Sequence, residues 1–250
     1  MKVLRDMALL FQRHLVELLR NPVWLVVGFS TPILYLALFT PLLKQLAGLP
    51  GNAVLDEFLP GILSLLAFST GVSAGFGTIF ELKGGVIERL RVTPASRFAI
   101  LTGPIVASML MMFVFDAVVV AVGVGFGFTV HWGGLLLLAV FLGILMVITS
   151  AFSVAIALLT KEISGFAAVV NGINLPVLLL AGVLIPMSLG PAWLRVLAHF
   201  NPLYYLVQSA RVLAGGTLTG TAVWQAAAVL MPLCALTLGW ATSVVRRAVS

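Results

Sequence analysis

The chain has 250 residues, of which 61% are hydrophobic and 9% charged, and its formal charge is +6. So few polar side chains cannot coat a soluble globule of this length, which points to an integral membrane protein. The basic residues lie in short stretches between apolar runs, without the one-sided basic face and stacking aromatics of a nucleic-acid binder, so no nucleic-acid partner is expected.

A helix crossing a hydrocarbon core of about 30 Å needs about 20 residues. Six runs reach that length: 23–43, 58–80, 98–123, 135–160, 165–187 and 221–245. They are continuously apolar, where barrel strands would alternate, so the predicted fold class is all-α with six transmembrane helices. Ahead of them, Leu4, Ala8, Phe11, Leu15 and Leu18 recur at helical spacing while Arg5, Gln12, Arg13, Glu17 and Arg20 fall elsewhere on the wheel. This predicts a cytosolic, interfacial amphipathic helix over 1–22, either an anchor or also a surface for a cytosolic partner. Asp6 and Glu17 and the length of the run at 23–43 argue against a cleaved signal, so the first span is expected to stay.

In the second run, Gly71 and Gly75 have the small-x-x-x-small spacing that lets helices pack closely. Residues 81–97 follow, a charged island in which six of seventeen residues are ionic. Gly84-Gly85 permits a sharp turn out of the span. Val86, Ile87 and Leu90 can form the apolar face of a short helix, with Glu88, Arg89 and Arg91 available for polar contacts and Thr93-Pro94 stopping it; the alternative is a solvated loop that only fixes topology.

Asp116 is the one formal charge well inside an apolar run, so it must face protein or water. It reads as a helix-to-helix hydrogen bond or as a polar point on a translocation route. Asn171 and Asn174, three apart beside Gly172 and Pro176, read as packing groups or as part of the same route. Residues 188–220 hold two short amphipathic segments broken at Asn201-Pro202, neither long enough to span, expected as external re-entrant helices before the last span.

Eleven of the fourteen Lys and Arg residues lie on the side of the N-terminus, the island, Lys161 and the C-terminal tail, against Lys44, Arg195 and Arg211 on the other. The positive-inside rule makes the first side cytosolic, with both termini and the island there. No G-x-x-x-x-G-K-[ST] phosphate loop is present, so any ATP hydrolysis belongs to another polypeptide. His14, His131 and His199 are scattered and Cys234 is the single cysteine, so neither a metal site nor a disulfide is expected.

The stretch Glu81-Leu-Lys-Gly-Gly-Val-Ile-Glu-Arg-Leu-Arg-Val-Thr-Pro94 between the second and third spans resembles the permease subunits of type-2 ATP-binding-cassette exporters. His199-Phe-Asn-Pro-Leu-Tyr-Tyr205 followed by Arg211 is similar to the pattern that family shows before its last span, so the likeness covers essentially the whole chain. Within the family it looks most like the daunorubicin-resistance type of drug or glycolipid export permeases; Gly84-Gly85 departs from the single glycine of many relatives. The resemblance implies a permease without enzymatic activity, paired as a homodimer in a bacterial cytoplasmic membrane. Two copies of a separate nucleotide-binding ATPase subunit, which hold the ATP and Mg, would grip Glu81 to Arg97 as a coupling helix. The cargo implied is an amphipathic drug or lipid-like molecule moved outward, or a polysaccharide or glycolipid. An ATP-independent secondary transporter is the weaker alternative, because one Asp116 and no repeated halves fall short of what ion coupling needs.

Overall fold

A computed structural model describes residues 51–84, 97–183, 187 and 190–249, together with 12, 16, 20, 26, 28, 30–38 and 41. Among these residues the chain is helical and contains no strand. The helices are α1 (Gly51–Lys83), α2 (Arg97–Gly125), α3 (Trp132–Thr160), α4 (Ile163–Ala181), α5 (Ala192–Ala198), α6 (Pro202–Ala214) and α7 (Thr221–Val249). All but α5 and α6 are long and apolar enough to cross a membrane. The expected span at 23–43 is described only in part, with 30–38 helical, and most of the expected amphipathic helix at 1–22 lies outside the described residues.

The helices do not stop where the apolar runs do. α1 starts at Gly51, ahead of the predicted Phe58, and carries Asp56 and Glu57 within its first two turns. α4 corrects the expectation in the other direction: it ends at Ala181 and not at Met187. Gly182 takes a left-handed conformation, φ 69°, and its N–H bonds back to Leu179 O at 3.2 Å. Such a C-terminal stop interrupts a helix without interrupting the run of apolar side chains. Between α3 and α4 only Lys161 and Glu162 intervene; Lys161, at φ 57°, closes the last turn of α3 through its N–H to Ala157 O at 2.9 Å. A non-glycine residue in that region is strained, so the tight corner is imposed by the helices on either side of it.

α3 is the central strut, packed on α1, α7 and α6. Leu138, Phe141, Leu142, Leu145 and Met146 recur along it at helical spacing and are buried. They meet Phe58, Leu59 and Ile62 of α1, Met112 and Val119 of α2, Leu206, Val207 and Ala210 of α6, and Ala226 and Leu230 of α7 in one core. A second, smaller cluster of Ile79, Ala157 and Phe166 lies at the far end of α1, beneath that core. The outward faces stay apolar, with Leu136, Leu175 and Leu236 each about two-thirds exposed or more, the pattern of helices solvated by lipid.

Candidate functional site

At one end of the bundle the start of α1, the end of α4, the start of α3 and the α5–α6 pair converge. Asn201 caps α6: its Oδ1 accepts from Leu203 N at 3.0 Å, and Pro202 fills the first helical position, where no N–H is needed. Its Nδ2 donates to Val177 O of α4 at 2.7 Å, so one buried amide both starts α6 and ties it to a spanning helix. Tyr205 Oη donates to His199 O at 3.0 Å. His199 Nδ1 lies 2.7 Å from Arg195 O, and a carbonyl only accepts, so the proton sits on Nδ1. Tyr204, Tyr205 and His199 pack ring on ring, with centroids 5.2 to 6.3 Å apart, and hold the α5–α6 corner.

Arg211 is the centre of this end. Its Nε donates to Glu57 O at 3.0 Å and meets the Glu57 carboxylate at 3.0 Å, while Nη2 donates to Gly182 O at 2.8 Å. The guanidinium thus joins α6 to the outer turns of α1 and to the carbonyl left unpaired where α4 ends. Burial pulls its pKa down from the ordinary arginine value; Glu57 and then Tyr204 oppose that shift, and the group stays charged. Backbone is close as well. A Cβ at Gly134 of α3 would run into Leu213 O of α6, and one at Gly61 of α1 into Val183 O. His131 Nδ1, 3.0 Å from Ala214 O, adds a further tie between α3 and α6.

The opposite end carries the charged island. α1 continues without a break to Lys83, and Gly84 N still bonds to Phe80 O at 2.9 Å, so the helix delivers the chain directly to the island. Glu81 lies in this last stretch of α1. Gly85, Val86, Ile87, Glu88, Arg89, Leu90, Arg91, Thr93 and Pro94 lie outside the described residues.

Between the two ends, Gly71 and Gly75 face α3, where a Cβ on either would collide with Thr149 or Ser153. Asp116 is buried on α2, and neither carboxylate oxygen has a hydrogen-bond partner among the described residues. Asn171 is exposed on α4, and Asn174 is half-buried there with Oδ1 unpaired. α2 packs on α1 and α3, whereas α4 packs on α6, α3, α1 and α5, so Asp116 lies on a different helix from the two asparagines. α4 itself buries little: Phe166 at its N-terminal end sits in the small cluster, and its C-terminal end is held by Asn201 and Arg211.

Two groups of residues were not anticipated from the sequence: Glu57, which receives Arg211, and Thr149 with Ser153, which receive the two glycines. The second group left a signal, since hydroxyl residues four apart in a strongly apolar helix mark a face turned toward protein.

The pattern of the ABC-2 type transporter family matches residues 5–214, a range that takes in the island and the α5–α6 pair. A putative transport permease ycf38 of Cyanophora paradoxa is 30% identical over 216 residues, covering 84% of this chain and 74% of that protein. The putative transport permease ycf38 of Porphyra purpurea is 24% identical over 222 residues, 86% of this chain and 76% of its own length. That of Pyropia yezoensis is 24% identical over 228 residues, 84% and 74% respectively.

Proposed function

Because this chain belongs to the ABC-2 type transporter family, whose membrane permeases work with an ATPase subunit, we propose that it is the permease of an exporter driven through residues 81–97. One observation carries the reading: α1 is a single helix of 33 residues that runs from the Arg211 junction to the first residues of the charged island. A helix of that length reaches about 50 Å, enough to carry displacement from one membrane face to the other, and its one proline, Pro60, lies within a turn of Glu57.

In this mechanism the ATPase subunits, one under each of two permease copies, hold ATP and Mg and close when ATP binds. The coupling helix between Glu81 and Arg97 is pushed, with Glu88, Arg89 and Arg91 as its polar grip. α1 carries the movement up to Glu57, where Arg211 passes it to α6 and the end of α4. Rigid-body transmission of this kind needs stiff elements and packed contacts, which the α1–α3 interface supplies. Asp116, Asn171 and Asn174 are the polar groups available to a route through the spans. The lipid-facing surface suits an amphipathic drug or lipid-like cargo that enters from the bilayer and leaves outward across a bacterial cytoplasmic membrane.

The reading is tested with the permease and its ATPase subunit in proteoliposomes, with and without each other, by ATP-dependent flux of a fluorescent amphiphile. Flux is expected only with both. Glu88→Ala and Arg89→Ala should insert normally and lower the ATPase turnover that the permease stimulates. Full co-purification and full stimulated turnover in both variants would refute a coupling role for the island.

A further inference from the structure

Thr149 and Ser153 lie one turn apart on α3 and face α1 with their hydroxyls, yet they are used differently. Thr149 Oγ1 is bonded into its own helix, to Leu145 O at 3.0 Å and Met146 O at 3.1 Å, and offers Gly71 only bulk. Ser153 Oγ reaches across. It donates to Val72 O at 2.6 Å and accepts from Gly75 N at 3.1 Å, gripping an acceptor and a donor within one turn of α1. Gly75 makes room for this, because a Cβ there would strike both Ser153 Oγ and the Phe166 ring.

The contact lies between two apolar layers. Above it is the main core; below it are Ile79, Ala157 and Phe166, with Phe76 edge-on to Phe166 at 4.6 Å. Dispersion contacts change little when apolar helices slide past one another, and small residues make the sliding surface smoother still. A hydroxyl bound at two points is different. A slip of α1 by one residue, about 1.5 Å, breaks both of its hydrogen bonds in a medium with no water to replace them.

We propose that Ser153 is a positioning residue for transport, which fixes the axial register of α1 on α3 so that displacement of the inner end of α1 moves α3 and is not lost as slip. This rests on the reading that force enters through residues 81–97. Ser153→Ala leaves the helical ladder of α1 to satisfy Val72 O and Gly75 N, so the variant folds.

The test uses the permease–ATPase complex in a Cys234→Ser background, spin-labelled at positions 80 and 159, where Phe80 and Leu159 are 60% and 61% exposed. The interspin distance is measured without nucleotide and after trapping with ATP and vanadate. With Ser153 present the distance should hold to within a residue's rise, about 1.5 Å. In Ser153→Ala, trapping should shift it further, and the ATPase turnover stimulated by the permease should fall roughly fivefold, the scale of two interhelical hydrogen bonds in a membrane. Thr149→Val, which deletes a hydroxyl bonded only to its own helix, should behave as the parent; a merely structural role would affect both variants alike. A parent distance that moves further than one rise on trapping, or a Ser153→Ala complex indistinguishable from the parent in both states, overturns the proposal. Failure of the underlying reading shows elsewhere, as full stimulated turnover in Glu88→Ala, and the comparison of trapped distances still decides the role of Ser153.

Discussion

Removing Arg211 should be the most damaging single change at the outer end of the bundle, and the structure says how the loss divides. Arg211→Ala deletes the bonds to Glu57 O and Gly182 O and the ion pair with the Glu57 carboxylate. Breaking a buried ion pair costs about 3–5 kcal/mol, largely because the remaining charge is stranded. Here the stranded partner would be Glu57, whose side chain is 45% exposed and can rehydrate, so the low end, ~3 kcal/mol, is expected. Glu57→Ala is a different perturbation: it keeps both backbone carbonyls as acceptors but strands the Arg211 guanidinium, whose side chain is 7% exposed, so a loss of about 3 kcal/mol is expected here as well. Thermal unfolding of the purified protein in detergent, on the two single variants and the double variant, separates the shares. On the scale of a soluble domain of similar length, ~3 kcal/mol lowers the midpoint by about 6–12 °C. Arg211→Lys should fall between, because an ammonium cannot reach both helices with a planar fork. The double variant strands neither charge and should lose less than the two single losses added together; a fully additive double variant would refute the argument, since the two charges would then not be coupled.

Gly134→Ala should destabilise by about 1–3 kcal/mol in the same assay, because its Cβ meets the Leu213 carbonyl, which cannot rotate aside. Gly172→Ala, with open space around it, should be neutral or stabilising by up to about 1 kcal/mol. Asn201→Ala should cost about 1–2 kcal/mol, and Asn201→Ser should recover the cap but not the bond to Val177, giving an intermediate midpoint. Asp116→Asn loses no hydrogen bond among the described residues, so its stability should stay within about 1 kcal/mol of the parent; a larger drop would show that the carboxylate has a structural partner. Flux measured on that same variant then assigns the carboxylate to the route if export falls, and removes it if export is unchanged.

The all-helical architecture was legible because continuous apolar runs of spanning length have few other solutions. Helix ends were less legible. Hydropathy stops at Phe58 because Asp56 and Glu57 are charged, yet α1 runs through them, since Arg211 of a helix far along the chain receives Glu57. Hydropathy likewise runs on past Ala181, where a single left-handed glycine stops α4. Periodicity reports what faces lipid and what faces protein; it carries no information about which helix supplies the partner. For that reason Asn201 and Arg211 could be singled out by their motif while Val177, Gly182 and Glu57 could not, each of these partners accepting through a backbone carbonyl that any residue would present.

The attachment of α4 at both ends makes its length a fitted dimension. Phe166 seats its inner end, and the carbonyls of Val177 and Gly182 must arrive opposite Asn201 and Arg211. One residue inserted among its 19 would turn everything beyond it by about 100° and advance it by about 1.5 Å, swinging both carbonyls away from their donors. Substitutions along the open middle of the helix are therefore tolerable where insertions and deletions are not, and changes in chain length can be absorbed far more readily in the exposed turn at 215–219.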